Sequence, residues 1–213
     1  MIKIEHTEIH GWEAAIRGAR NPMNSWNQSD TSYGLGEGFT EIGPRDLKLL
    51  RNLANAGPDH GKYLRMIMVW CDITAPMYWL KEMDTYRMGV EKNSCSTMHK
   101  IHAKEFTLDD FSHDHLSLDK NAGLGVLKTM IDALNLNREI YLRSAGKDKS
   151  FWWNMIQLLP SSYNQRRTFM FSYAALRNMY HARKNHKLDE WHEFCRWIES
   201  LPYSELITGE HDG

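Results

Sequence analysis

Apolar residues fall at helical spacing in segment after segment of this chain, and only its first residues alternate apolar with polar as a strand does. From Gly123 to Ser144, Leu124, Leu127, Met130, Ile131, Leu134 and Ile140 mark one side of a long amphipathic helix. Pro44 to Ala56 repeats the pattern with Leu47, Leu50 and Leu53 and stops at Gly57-Pro58. Ser150 to Leu159, Phe171 to Arg183 and Leu188 to Leu201 predict further helices, and Gly11 to Arg20 a short one around Trp12, Ala15 and Ile16. Leu108 to Phe111 follows Thr107 as a capped helical turn. Strands are fewer. Met1 to Glu5 reads as an edge strand, and Tyr63 to Ile73 as a buried strand, with a helix as the alternative. Thr74-Ala75-Pro76 resembles a helix start, Thr as cap and Pro in the first turn, for a helix through Met77, Leu80 and Met83 that ends near Arg87. Asn21 to Gly43, rich in Asn, Ser, Asp, Gly and Thr, predicts a long loop. The fold class is α+β, mostly helical with a small mixed or antiparallel sheet. No repeat or linker interrupts it, so residues 1–213 are expected to form a single domain.

The balance of charge narrows the partners. With 26 basic and 27 acidic residues in 213, the chain has no electrostatic footprint for a nucleic-acid polymer. Its apolar runs fall short of a membrane span, and Met1-Ile2-Lys3-Ile4-Glu5-His6 lacks the apolar run of a secretory signal. Cys71, Cys95 and Cys195 are odd in number and far apart, which argues against a disulfide framework or a four-cysteine zinc site and fits a cytoplasmic location. His113-Asp114-His115 has no third ligand at motif spacing, so a solvated turn is expected there and no metal. Eight Trp and 12 Met chiefly fill a core, although the same side chains can floor a planar-ligand pocket or a subunit interface.

Two polar segments stand out against this apolar framework. Thr85 to His99 crowds hydroxyls, a thiol, an amide and cations into one stretch, a mixture suited to a phosphorylated, hydrogen-bonding small molecule. An ordinary polar connection has the same composition. The second runs from Pro160 through Arg166-Arg167-Thr168 to Leu176-Arg177-Asn178 and Arg183. On a helix Asn178 and Arg183 are near enough to flank one pocket, with Ala174 and Ala175 leaving space; a solvated helix side is the plain alternative. Arg166-Arg167 reads equally as a phosphate grip or as cations flanking a surface strand.

Taken together, the two segments resemble the flavin-dependent thymidylate synthases. That family carries an Arg-His-Arg motif followed by a Ser/Asn-rich loop. Asp59-His60-Gly61, the strand to Asp72, Thr74-Ala75-Pro76 and Thr85-Tyr86-Arg87 can be laid on its pattern without a gap. Arg87 takes the place of the final arginine, Asn93 falls in the nucleotide loop, and Cys95 stands at the loop serine. Pro160, Arg166, Leu176, Asn178 and Arg183 match the C-terminal pattern, and Asp189-Glu190-Trp191-His192-Glu193 stands where the family has Ala-Gln-Trp-Glu-Ile. The departures are Thr85 and Tyr86 in the motif, Glu82 for glutamine, Thr97 for arginine, Leu64-Arg65 for Glu-His, and Ser172 and Ala174 for Asn and Arg.

The resemblance implies reductive methylation at C5 of a deoxyuridine monophosphate-type nucleotide. It implies FAD as cofactor, NADPH and methylenetetrahydrofolate as co-substrates, and a homotetramer. In the implied roles Arg183 stabilises charge on the pyrimidine carbonyl, and Arg87, Asn178, Tyr86 and Ser172 hold the flavin. Glu82, Asn93, Ser94, Ser96, Thr97 and Arg166 meet the nucleotide. Cys95 is either a small substitute for the loop serine or a nucleophile toward C6 of the base, as in the classical non-flavin thymidylate synthases. Two further readings stay open: modification of another pyrimidine nucleotide, such as hydroxymethylation, or a non-catalytic nucleotide-binding or protein-interaction module.

Overall fold

The computed structural model describes residues 2–34, 38–119 and 122–209. Among these, four strands form one sheet in the order β1 (Lys3–His10), β4 (Met68–Pro76), β6 (Asn164–Ser172), β5 (Val90–Ser94), and β2 (Ser32–Gly34) pairs with β3 (Gly38–Glu41) in a separate antiparallel hairpin. Tyr173 N donates to Ile67 O, and Thr168 Oγ1 reaches Asp72 Oδ1 at 2.5 Å, so β4 and β6 run antiparallel. Cys95 N donates to Arg166 O and Ser172 N to Gly89 O, which makes β5 and β6 antiparallel as well. β4 and β6 are two-faced: Val69, Cys71, Ile73, Phe169 and Phe171 are buried, whereas Trp70, Asp72 and Thr168 take the other side.

The chain resolves into two compact units. The first comprises residues 1–3, 74–84 and 94–167. Its core gathers Ile101, Phe106, Phe111, Leu127, Ile131, Leu134 and Met155, with α5 (Gly123–Arg143) and α6 (Lys149–Leu158) presenting their apolar sides to it. The Asn135 amide fixes the preceding coil by accepting from Phe106 N and donating to Phe106 O, both at 2.8 Å. Thr107 caps the 3-10 turn Leu108–Asp110 in a capping box, as its sequence predicts. α3 (Met77–Met83) and the short α4 (Thr97–Lys100) complete this unit.

The second unit comprises residues 4–73, 85–93 and 168–213. α1 (Trp12–Arg20), α2 (Pro44–Asn55), α7 (Tyr173–Arg183), α8 (Asp189–Glu199) and α9 (Glu205–Thr208) belong to it. In α8 Trp191, Phe194, Cys195 and Ile198 are all buried, the helical spacing of one apolar stripe. Phe194 meets Phe171 and Trp191 edge-on. Trp12 stands edge-on between Tyr173 and Tyr203.

Several expectations are corrected. The stretch from 21 to 43 is no bare loop: it holds two 3-10 turns and the β2–β3 hairpin, with Leu35, Gly36 and Glu37 outside the described residues. The segment is organised by a buried ion pair, Arg20 Nε to Asp46 Oδ1 at 2.6 Å, whose second carboxylate oxygen accepts from Ser29 Oγ, Thr31 Oγ1 and the Asp30 and Thr31 amides. The predicted strand at Tyr63 begins instead as a 3-10 turn, Gly61–Arg65, and extends at its far end through Pro76. Thr74 is therefore a strand residue, Pro76 itself is the N-cap, and α3 ends at Met83 rather than near Arg87. Phe171 belongs to β6, which ends at Ser172, and α7 starts at Tyr173 rather than at Phe171. No helix among the described residues is long and apolar enough to cross a membrane.

Candidate functional site

In the second unit a cavity of about 350 Å³ opens between the 57–65 segment and α7. Gly57, Pro58, Gly61, Leu64 and Arg65 line one side, Ala174, Arg177, Asn178 and His181 the other, with Ala54 of α2. The α7 residues recur at three- and four-residue steps, so a single helix side faces the cavity. Gly57 has φ +100°, a conformation that disfavours a side chain, and it lets the chain turn at the cavity's edge after α2. Arg177 is held in place: its Nη1 donates to Leu206 O at 2.8 Å, and burial lowers the guanidinium's proton affinity. The volume and the mainly apolar wall with a few polar groups match a small-molecule pocket.

Asn178 and Ala174 line this cavity as expected, but Arg183 does not. Five residues on from Asn178, it projects from a different side of the helix. Its Nε donates to Tyr86 Oη at 2.8 Å. The guanidinium carbon lies 4.7 Å from the Trp191 ring centre and 5.4 Å from that of Tyr86. Tyr86 and Trp191 meet edge-on with centres 6.0 Å apart, and Trp191 is fully buried. Two segments nearly a hundred positions apart along the chain thus meet at Arg183. Trp191 is the partner to which the sequence reading gave no role; the signal was the tryptophan in the middle of the Asp189–Glu193 stretch.

Around Tyr86 the chain turns sharply. Gly89 has φ +70°, and a Cβ there would stand 2.5 Å from Ser172 Oγ. Ser172 is buried and caps α7 by accepting from Ala175 N at 3.1 Å. Arg87 is exposed, as is Asn93, which the β5–β6 register sets opposite Thr168. The polar stretch predicted as a loop therefore contains the edge strand β5.

In the first unit the structure pairs two other predicted residues. Cys95 N donates to Arg166 O, so the exposed Cys95 and Arg166 are cross-strand neighbours. Gln165 Nε2 donates to Cys95 O at 2.6 Å. Ser94 ends β5, and Ser96 caps the short turn that begins at Thr97, with His99 Nδ1 2.7 Å from Ser96 Oγ. Arg166 and Arg167 differ in kind. Arg167 is largely buried and joined to Asp84 at 2.7 Å and to Gln165, whereas Arg166 is exposed. Glu82 lies half-buried in the last turn of α3.

Comparisons with known proteins identify the fold. No family model matches the sequence, and no curated protein matches it. Solved structures do match in shape. The flavin-dependent thymidylate synthase ThyX from Helicobacter pylori, complexed with FAD and dUMP, superposes with a TM-score of 0.69 at 16% identity, covering 97% of this chain and 98% of that one. A second structure of that protein with FAD and dUMP gives 0.68 at 16% identity, covering 98% of each chain. The UMP/dUMP methylase PolB from Streptomyces cacaoi, bound with 5-Br dUMP, gives 0.63 at 14% identity, covering 98% of this chain and 95% of that one. The chain has the flavin-dependent thymidylate synthase fold.

Proposed function

We propose that the protein carries out flavin-dependent one-carbon transfer to C5 of a deoxyuridine monophosphate-type nucleotide, giving dTMP. The observation that carries this reading is the cavity between the 57–65 segment and α7, on a fold whose solved examples hold FAD and dUMP. A flavin ring needs apolar walls for its faces and polar groups for its heteroatom edge. Leu64, Pro58 and Ala174 offer the walls, and Asn178 and Arg65 the polar edge, so the residues present fit the group. When bound, the reduced cofactor supplies the hydride and mediates one-carbon transfer from methylenetetrahydrofolate, with NADPH as the reductant.

The chain's own residues bind and polarise. Arg183, permanently charged and planar, stabilises negative charge on the pyrimidine carbonyl as C5 becomes nucleophilic. Its contact with Trp191 and Tyr86 restricts its rotamers, so the charge is placed before substrate arrives. Asn178 orients the ring, and Arg87 holds the cofactor's phosphates from an exposed turn. Ser94, Cys95, Ser96, Thr97 and Arg166 supply hydroxyls, a thiol and positive charge for the nucleotide phosphate, with Asn93 and Glu82 as further nucleotide contacts. The working assembly is a homotetramer, as the resemblance implies.

Tritium release from C5-labelled dUMP tests the reading. Release that requires FAD, NADPH and methylenetetrahydrofolate together supports it. Release from labelled dCMP alone moves the reaction to another pyrimidine, and no release from either, in a protein that ignores FAD, leaves a binding module.

A further inference from the structure

Tyr86 stands where the family that the sequence resembles has the histidine of its Arg-His-Arg motif, and in this chain it makes a contact of its own. Its hydroxyl accepts the Nε–H of Arg183 at 2.8 Å, and its ring stands edge-on to the buried Trp191, which packs on the same guanidinium. A guanidinium has five N–H donors in a rigid plane, so fixing Nε and one face fixes the direction of the remaining donors. The backbone is built to deliver the phenol. Gly89, three residues on, adopts φ +70° against Ser172, and Ser172 N donates to Gly89 O at 2.9 Å, which ties the turn to the start of the helix that carries Arg183. Both ends of the contact are thereby anchored to one helix.

We infer that Tyr86 is the positioning residue for Arg183: together with Trp191 it holds the guanidinium in the orientation that meets the nucleotide base, and in this chain it serves the arginine rather than the flavin. This rests on the role given to Arg183 under the methyl-transfer reading. The phenol suits the task because it accepts a hydrogen bond while uncharged, whereas an imidazole at the same place becomes a cation as pH falls and repels the guanidinium. The Tyr86 ring adds the attraction of its electron-rich face for the guanidinium, whose central carbon lies 5.4 Å from the ring centre.

The test compares wild type with Tyr86→Phe, which keeps the ring and removes the hydroxyl. Hydrogen exchange at Arg183 Nε–H, followed by NMR and assigned by its absence in Arg183→Lys, reads the contact without any turnover. The expected result is a protected Nε–H in wild type and exchange at least about tenfold faster in Tyr86→Phe, the loss of roughly one hydrogen bond's worth of protection. In turnover, kcat should fall roughly ten- to a hundredfold with KM for the nucleotide nearly unchanged, the pattern of a displaced catalytic group. Equal exchange rates in the two proteins overturn the inference. So does an unchanged kcat, or a raised KM with kcat intact, which would make Tyr86 an ordinary binding contact. If wild type turns over no pyrimidine nucleotide, the methyl-transfer reading fails, and the exchange rates alone then decide whether Tyr86 holds Arg183.

Discussion

Cys71, Cys95 and Cys195 share a side-chain chemistry and differ in surroundings, and that difference decides their reactivity. Burial, with Asp72 adding to it, pushes the Cys71 thiol up to about 12, and burial with Glu199 pushes Cys195 up to about 11. Both are protonated and inaccessible at neutral pH, whereas Cys95 is exposed beside Arg166. A thiol reagent such as DTNB should therefore titrate one fast thiol per native chain, and Cys95→Ser should remove it; two fast thiols would contradict the burial. The same variant separates the two readings of Cys95. As a replacement for a loop serine it should leave turnover within about threefold of wild type, whereas an attacking thiolate would make the loss complete. Arg183→Ala should abolish turnover while circular dichroism still shows the helical fold, since the half-buried side chain stands in the last turn of α7 and its loss leaves the helix backbone intact. Undiminished turnover would remove Arg183 from the chemistry.

At the scale of elements, the Arg20–Asp46 pair makes the sharpest prediction. Burial alone would raise the Asp46 carboxyl, but hydrogen bonds from Thr31, Ser29 and Arg20 and the guanidinium charge outweigh it and hold it below the ordinary carboxylate range. A depressed value in the folded state means that stabilisation is complete above the unfolded carboxyl's value, about 3.9, and is lost as pH falls through the folded one. Asp46→Asn should cost about 3–5 kcal/mol in urea unfolding at pH 7, because Arg20 is left buried without its counter-charge. The gap to wild type should narrow below about pH 4; a gap independent of pH would sink this account. Gly89→Ala should cost about 1–2 kcal/mol from its positive φ, read as a lowered melting temperature, and more if the new methyl displaces the Ser172 cap. These elements also show what the sequence made legible. The apolar stripes of α2, α5, α6 and α8 announced themselves because each buries one side only. β5 and the β2–β3 hairpin did not. Glu91, Lys92, Asn93 and Ser94 are all exposed on an edge strand, so no alternation marks them, and the hairpin is tied down by Asp46, a partner that local composition does not reveal.

For the molecule as a whole, order and spacing carried further than identity. At 14–16% identity the fold is still shared, and in this chain β4, β6, α7 and α8 each bury an apolar side, a requirement that many different sequences can meet. That is why the sequence could place Asn178 on a pocket and bring the 86 region to Arg183, yet misjudge the orientation of Arg183 relative to that pocket: five helical residues are close in space but not on one side. The central claim is that the cavity beside α7 receives a flavin ring. Titrating the purified protein with FAD and recording the visible flavin spectrum tests it most directly. Saturable binding with a shifted spectrum, weakened when Ala174→Trp fills the cavity, is the predicted result. A protein that stays colourless and leaves the spectrum of added FAD unchanged would contradict it.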